Sequence, residues 1–344
     1  METLHFVRGQ AYKVGIIGCG NIARSHAEAY KKISNVEIIA AAELDPDRRN
    51  KFAKDFAISN SYEDYAEMLE KENFDIVSVC TWPKTHCAAT CKAASSGVKG
   101  IMCEKPMAVN LKEADQMLEI CEKNNVRLAI GHQHRFDSQL VKARDLINGK
   151  AIGELVLLWG HCSLDLMNNG SHVVDMINFL NNDEKADWVM GQIDRRHKRE
   201  GYGNHPDMYV EDMAVGRICY KNGVRATVEL GEFAPQAWQF HIIGTDGIID
   251  VNFPGGPPIR FMSTGTSGWE IPEIQPCDPR KAEMVELIAA IEEKREHISS
   301  GKIGRNSLEI IMAVFESSRR RSLINLPLTV KENPLEIMIK AGEV

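Results

Sequence analysis

Lys105, in the triplet Glu104-Lys105-Pro106, has the most chemistry to offer, because a lysine amine can take a proton from a hydroxyl once its charged form is disfavoured. Alone, the triplet reads as a helix start or turn carrying a surface lysine. Upstream lies Gly18-Cys19-Gly20-Asn21-Ile22-Ala23, which has the residue types of a phosphate cradle. The first glycine permits a sharp turn, the second lets a pyrophosphate approach the backbone, and Ala23 lets the helix close on its strand. Backbone N–H groups at the helix start would then face the phosphates. Glu43 follows about twenty residues later, at the end of the next apolar run, where a carboxylate can accept both ribose hydroxyls. A glycine loop alone can be a turn without a ligand; strand, helix and Glu43 together make it a dinucleotide site.

Cofactor choice follows from the same carboxylate. Glu43 would repel a 2′-phosphate while bonding a free 2′-hydroxyl, which favours NAD over NADP. Arg48 and Arg49 argue the other way, but behind Pro46 they read as a solvated first helical turn. Lys105 comes just after the apolar stretch 98–103, and strand carboxyl ends form the ligand crevice of a doubly wound sheet. The amine is therefore expected beside the nicotinamide, whose positive charge, with partial desolvation, favours the neutral base. Hydride and proton could then leave one alcohol together. Pro106 leads us to expect an unusual or cis Lys105–Pro106 bond.

The elements needed to position these residues are legible as an alternation. Lys13–Gly18 is a short apolar strand and Asn21–Ile33 a helix, with Ile22, Ala29 and Ile33 at helical spacing. Val36–Ala42, Phe74–Cys80, Val98–Cys103 and Val126–Gly131 read as further buried strands, separated by helices from Pro46, over Lys84–Ser96 and over Leu111–Asn124. Apolar strands alternating with helices imply a parallel sheet covered on both faces. After about residue 132 the strands lengthen and alternate in polarity, as in an antiparallel sheet. We place them near Glu154–Cys162, Asp187–Arg196, Asp212–Tyr220, Gly223–Leu230, Trp238–Ile243 and Gly247–Val251. Helices are expected over Arg280–Ile298 and Ser307–Arg321, and Phe253–Ser267 reads as a surface loop.

Composition limits the function classes. At 344 residues the chain suggests two domains, and 44% hydrophobic with 26% charged residues is soluble-globular in type. A formal charge of −7 argues against broad nucleic-acid binding and for a small-molecule partner. No apolar run reaches the length of a bilayer span, so no membrane association is expected. Met1–Arg8 lacks the apolar core and cleavage site of a secretory signal, which makes cytoplasmic the default. The nine cysteines are scattered without zinc or disulfide spacing, and Cys87 and Cys91, one helical turn apart, read as buried thiols.

With these pieces in order, the chain resembles the glucose–fructose oxidoreductase/inositol dehydrogenase family, Gfo/Idh/MocA, over nearly its whole length. The resemblance rests on the glycine loop, Thr81-Trp82-Pro83 with His86, Glu104-Lys105-Pro106, Arg135-Phe136, the segment from Asn168 to Asp175, and Gly244-Thr245-Asp246-Gly247. It implies an α/β fold: an N-terminal Rossmann domain, 1–131, with a doubly wound parallel sheet. The rest, 132–344, would be an α+β domain with a large open, mainly antiparallel sheet whose outer face joins a homodimer or homotetramer. The implied activity is hydride transfer between a nicotinamide cofactor and a secondary alcohol of a sugar, cyclitol or sugar derivative. By the same resemblance Gly18, Cys19, Gly20, Asn21, Ile22, Glu43, Thr81, Trp82, His86 and Glu104 would contact cofactor, Arg135 and Asn168 substrate, and Lys105 and His172 would be catalytic.

The family's Asp-x-x-x-His pair falls here on Asn168 and His172, so an amide replaces the carboxylate. Asparagine can position a hydroxyl but cannot act as a base. Lys105 and His172 would then share the proton chemistry, with Asp175 able to orient His172. A glycine run common in the family before this motif is here Ser163-Leu164-Asp165-Leu166-Met167; asparagine at 168 also occurs in dehydrogenases acting on sugar nucleotides. His132 and His134 would share a side if 131–135 stays extended. Arg195–Arg199, before Gly201–Pro206, reads as a solvated loop or as a flap meeting an anionic substrate group. Two other activities fit: a glycosidase or lyase that retains NAD and works by transient oxidation and elimination, and a non-catalytic sensor.

Overall fold

The computed structural model describes residues 11–197, 200–202, 205–231, 234 and 238–344, with backbone alone at 200–202 and 205–208. Met1–Arg8, and Lys198, Arg199, Gly203 and Asn204 of the basic loop, lie outside the described residues. The chain groups into two units. One runs to Glu104 and adds Glu119–Ala129 and Arg280–His297; the other comprises Lys105–Leu118, Ile130–Pro279 and Ile298–Val344.

The first stretch of chain is β1 (Tyr12–Ile17), α1 (Asn21–Lys31), β2 (Val36–Ala42), α2 (Pro46–Phe56), β3 (Asn60–Tyr62), α3 (Tyr65–Lys71), β4 (Ile76–Val79), α4 (Pro83–Ala94), β5 (Gly100–Cys103), α5 (Leu111–Lys123) and β6 (Arg127–Ile130). The strands form a six-stranded sheet in the order β3-β2-β1-β4-β5-β6, with parallel pairing. Continuous burial of β4 and β5 explains their mostly apolar sequences, with Ser78 of β4 as the buried polar exception. Val14, Ile16, Ala23, Ala27, Phe52 and Ile76 are among the residues of its core, joined by Met284, Leu287 and Ile288 from a helix far along the chain.

Next come α6 (Ser138–Asn148), β7 (Leu155–Ser163), α7 (Asn169–Leu180), β8 (Ala186–Asp194), β9 (Glu200–Tyr202), β10 (His205–Tyr209), β11 (Met213–Tyr220), β12 (Arg225–Gly231), β13 (Gln239–Gly244), β14 (Gly247–Val251) and β15 (Ile259–Ser263). The chain ends with α8 (Pro279–Glu292), α9 (Gly301–Arg320), β16 (Ile324–Asn325) and α10 (Pro334–Ala341). Eight strands form one sheet, β15-β14-β13-β7-β12-β11-β8-β16, in which only β7 and β12 pair parallel. The parallel first sheet and mainly antiparallel second sheet are those expected from the sequence.

Three local expectations need correction. Phe253–Ser267 is not all loop, because β15 pairs with β14 as the sheet edge. Gly131–Arg135 does not stay extended; Gln133–Phe136 forms a 3-10 turn, which ends the alternation assumed for His132 and His134. Lys294 takes a left-handed conformation, φ 54°, soon after α8 ends at Glu292, short of the Ile298 expected. α7 packs on β7 across Gly160, where an added Cβ would lie 2.9 Å from Val173 Cγ1 and 3.1 Å from Ile177 Cδ1. That close approach sets the height of α7, the helix bearing His172, above its sheet.

Candidate active site

In the first unit, β1 ends in Gly18 at φ +90°, a conformation that penalises any Cβ, and a Cβ there would stand 2.8 Å from the Cys80 carbonyl. The turn is thereby pressed against the Cys80–Thr81 chain at the end of β4. Gly20 caps α1 without a side-chain hydrogen bond, and an added Cβ at Gly20 would meet nothing within 4 Å. The first turn of α1, from Asn21 and Ile22, contains no acidic residue. An open approach and a first helical turn without side-chain cap or acidic residue fit a dinucleotide pyrophosphate.

Glu43 stands at the end of β2, where its Oε2 accepts the Cys19 N–H at 2.9 Å and its Oε1 the Asp45 N–H at 3.2 Å. The carboxylate therefore ties the glycine loop to β2. Burial, then the Glu43 charge, pushes the Cys19 thiol up to about 12, so it stays protonated. Trp82 is 43% exposed at the start of α4, and Thr85 Oγ1 lies 2.8 Å from both Thr81 Oγ1 and the Trp82 carbonyl.

Two residues expected at the cofactor are buried and bonded to protein groups. His86 is fully buried, with Nε2 3.0 Å from the Thr81 carbonyl, so it braces the Thr81-Trp82 segment from within. Glu104 is buried too, with Oε1 2.8 Å from both His26 Nε2 and Arg280 Nη1. Burial lowers the His26 pKa by more than the Glu104 hydrogen bond raises it, and Arg280 pushes the same way as burial. His26 is thus a neutral imidazole donating to Glu104, with Ser78 Oγ 3.2 Å from Nδ1 and Tyr30 OH 2.9 Å from Ser78 Oγ.

The second unit holds Lys105, Asn168 and His172. The Lys105–Pro106 peptide is cis, as expected. Lys105 Nζ donates to Asn168 Oδ1 at 2.8 Å and lies 3.3 Å from the Asn168 carbonyl. Asn168 is the residue before α7, so His172 stands one turn into that helix. The preceding loop is fixed by Asp165 Oδ1, which accepts the Asn168 N–H at 2.8 Å, and by buried Glu211, which accepts the Leu166 N–H at 2.6 Å. Leu164 sits at φ 74°, a conformation costing a non-glycine residue about 1–2 kcal/mol, at a place where the family often has glycine.

Behind α7 lies an ion network that overturns one expectation. Arg135 does not face substrate: it is fully buried, with Nε and Nη2 on Asp175 at 2.7 and 2.8 Å. Its remaining donors go to Asp183 at 2.7 and 3.0 Å and to the Ile298 carbonyl at 3.2 Å. Asp175 does not orient His172 either, because it is bound to Arg135 and lies 3.2 Å from His132 Nδ1. Burial would raise the Asp175 pKa, but the Arg135 charge, His132 and these hydrogen bonds hold it below the usual carboxylate value. Removing one partner from such a buried pair costs about 3–5 kcal/mol.

His134 turns the other way. Its Nδ1 is 2.7 Å from Asp137 Oδ2, and its ring centroid lies 4.6 Å from His172 and 4.4 Å from Trp238. Among the described residues, no group of three or more His, Cys, Asp or Glu side chains is arranged to hold a metal. Nor is any described helix long and apolar enough to cross a membrane.

Residues 12–132 match the family described as an oxidoreductase family with an NAD-binding Rossmann fold, and residues 165–326 match its C-terminal alpha/beta domain. The chain belongs to the Gfo/Idh/MocA oxidoreductase family. Among its Gfo/Idh/MocA relatives, D-apiose dehydrogenase of Paraburkholderia graminis is 24% identical over 97% of this chain and 94% of its own length. Myo-inositol 2-dehydrogenase of Thermotoga maritima is 32% identical over 41% of this chain and 42% of its own. A solved levoglucosan dehydrogenase, in complex with NADH and levoglucosan, shares the fold with a TM-score of 0.82. At 20% identity that likeness covers 93% of this chain and 100% of the other.

Several neighbours of these candidate residues in this Gfo/Idh/MocA chain were invisible in sequence. Arg280 reaches Glu104 from 176 residues away, and nothing in Pro279-Arg280-Lys281 marks it. Gln133, Asp137 and Trp238 gather around His134 only because a 3-10 turn and the start of β13 bring them together. The close spacing of His134 and Asp137 was the one available signal.

Proposed function

We propose that the protein is an NAD-dependent dehydrogenase that oxidises a secondary alcohol of a sugar, cyclitol or sugar derivative, and runs the reverse reduction with the same groups. The observation that carries this reading is Lys105 Nζ held 2.8 Å from Asn168 Oδ1, one turn before His172 on α7. The names of the relatives, apiose and inositol dehydrogenases, support the substrate class. When bound, nicotinamide supplies the acceptor for the hydride leaving the carbinol carbon. Lys105, as neutral amine, takes the hydroxyl proton, so the alcohol loses the elements of H⁻ and H⁺ and becomes a carbonyl. Asn168 orients Lys105 through its amide oxygen, and His172 hydrogen-bonds the reacting oxygen. Gly18, Cys19, Gly20, Asn21, Ile22, Thr81 and Trp82 hold the dinucleotide, with Glu43 selecting NAD over NADP.

Nine cysteines without a disulfide support a reducing, cytoplasmic setting. On the sheet face away from α7 and α9, Met190, Met213 and Val215 are exposed on adjoining strands, which supports a homo-oligomer formed through that face. The direct test of the mechanism is Lys105→Ala. Its turnover should fall at least about 100-fold, the usual size of an acid–base contribution, with NAD binding retained. Near-wild-type turnover would contradict it.

A further inference from the structure

Next to His172, Gln133, His134 and Trp238 carry polar atoms that the proposed reaction leaves unused. Gln133 Oε1 and Trp238 Nε1 are buried and make no hydrogen bond among the described residues. A buried donor or acceptor without a partner bears its full desolvation cost, so each calls for a partner, which a bound hydroxyl can supply. The orientation of the glutamine follows from its neighbours. Asp137 accepts the Nδ1–H of His134 at 2.7 Å, which leaves His134 Nε2 as an acceptor, 3.3 Å from Gln133 Nε2. The amide nitrogen thus faces His134, and the amide oxygen is the atom left over.

The three rings adjoin one another: His134 and His172 are 4.6 Å apart between centroids, His134 and Trp238 4.4 Å, His172 and Trp238 5.7 Å. His134 is the more open of the two histidines, with 15% of its side chain exposed, against 3% exposure for His172. An orphan acceptor and an orphan donor suit hydroxyls, which both give and take hydrogen bonds. A bare anion would satisfy only the indole N–H and a bare cation only the amide oxygen, whereas hydroxyls satisfy both. The indole ring adds an apolar surface of the kind that packs against the C–H face of a saturated ring.

We propose that Gln133, His134 and Trp238 form a subsite for a neutral polyhydroxylated ring beside His172. Gln133 Oε1 accepts from one ring hydroxyl and Trp238 Nε1 donates to another, while Asp137 is a positioning residue that fixes His134. This deepens, and rests on, the dehydrogenase reading, since the ring hydroxyls bound here would belong to the molecule oxidised.

The test is equilibrium binding of myo-inositol, D-glucose, D-xylose, levoglucosan and anionic glucose 6-phosphate to the NADH-loaded protein, where no oxidation can occur. The wild type should prefer a neutral member of the panel. Gln133→Leu and the milder Trp238→Phe, which keeps a ring but loses the N–H, should each weaken that binding about five-fold. Unchanged NADH affinity in each variant shows that it is folded. Unaltered sugar binding in both variants, a preference for glucose 6-phosphate, or no sugar binding by the wild type overturns the subsite. Separately, each sugar is incubated with wild type and NAD. Sugar binding without NADH formation would defeat the dehydrogenase reading and leave the subsite standing, whereas NADH formation with unaltered binding in both variants would do the reverse.

Discussion

An amide at 168 cannot take a proton, so the chemistry proposed here falls on Lys105 and His172, with Asn168 holding the amine by an uncharged acceptor. Glu43 has a comparable double duty, binding the Cys19 N–H while offering a carboxylate at the end of β2. Glu43→Ser should lower the NAD/NADP ratio of kcat/KM at least about ten-fold, because charge repulsion toward a 2′-phosphate is removed. An unchanged ratio would contradict the assignment. Gly18 and Glu43 stand out in the sequence because each closes a strand of the first sheet, while Lys105 and His172 stand out only once the family resemblance joins their motifs. Residue types did not show the protein partners of Arg135, His86 and Glu104, all three of which are buried. Asp183 and Arg280, the partners that bury and saturate Arg135 and Glu104, lie 48 and 176 residues distant.

At the level of elements, the height of α7 above β7 depends on Gly160. A methyl group there would press on Val173, Ile177 and Phe240 Cε1, the last at 2.9 Å. Gly160→Ala should cost about 1–3 kcal/mol of stability, as overpacking does, and lower turnover by shifting His172; an unchanged melting temperature would contradict the packing account. The His26–Glu104–Arg280 cluster ties α1, the end of β5 and the start of α8 together within the first unit. Because the folded pKa of His26 is depressed, its contribution to stability is complete above the unfolded value of about 6.5 and is lost as pH falls below it. Melting temperature should therefore drop between pH 7 and pH 5, and drop less in His26→Gln; equal slopes would contradict a neutral buried histidine. Strands β4 and β5 were legible because they are buried throughout, and β1 and β2 because their carboxyl-terminal halves are buried and apolar. β15 was not, since an edge strand within a Gly/Pro/Ser-rich stretch leaves almost no periodic signal.

For the molecule as a whole, two sheets of different construction were legible from the change in strand texture near residue 132, while the exchange of segments between units was not. Helix α8 reads in sequence as part of the second half, yet its Met284, Leu287 and Ile288 complete the core of the first unit. The exposed Met190, Met213 and Val215 predict an assembly larger than the 38.5 kDa chain in light scattering. Val215→Lys with Met190→Lys should shift it toward the monomer; a wild-type monomer would contradict the assigned role of this face. The proposed reaction is net oxidation of a sugar-like alcohol. Purified protein incubated with NAD and a panel of free sugars, cyclitols, glycosides and nucleotide sugars, followed by NADH absorbance and product mass together, tests it most directly. The expected result is NADH in one-to-one yield with a product two hydrogens lighter than its substrate. Glycoside cleavage without net NADH, or NAD binding without turnover of any panel member, would contradict it.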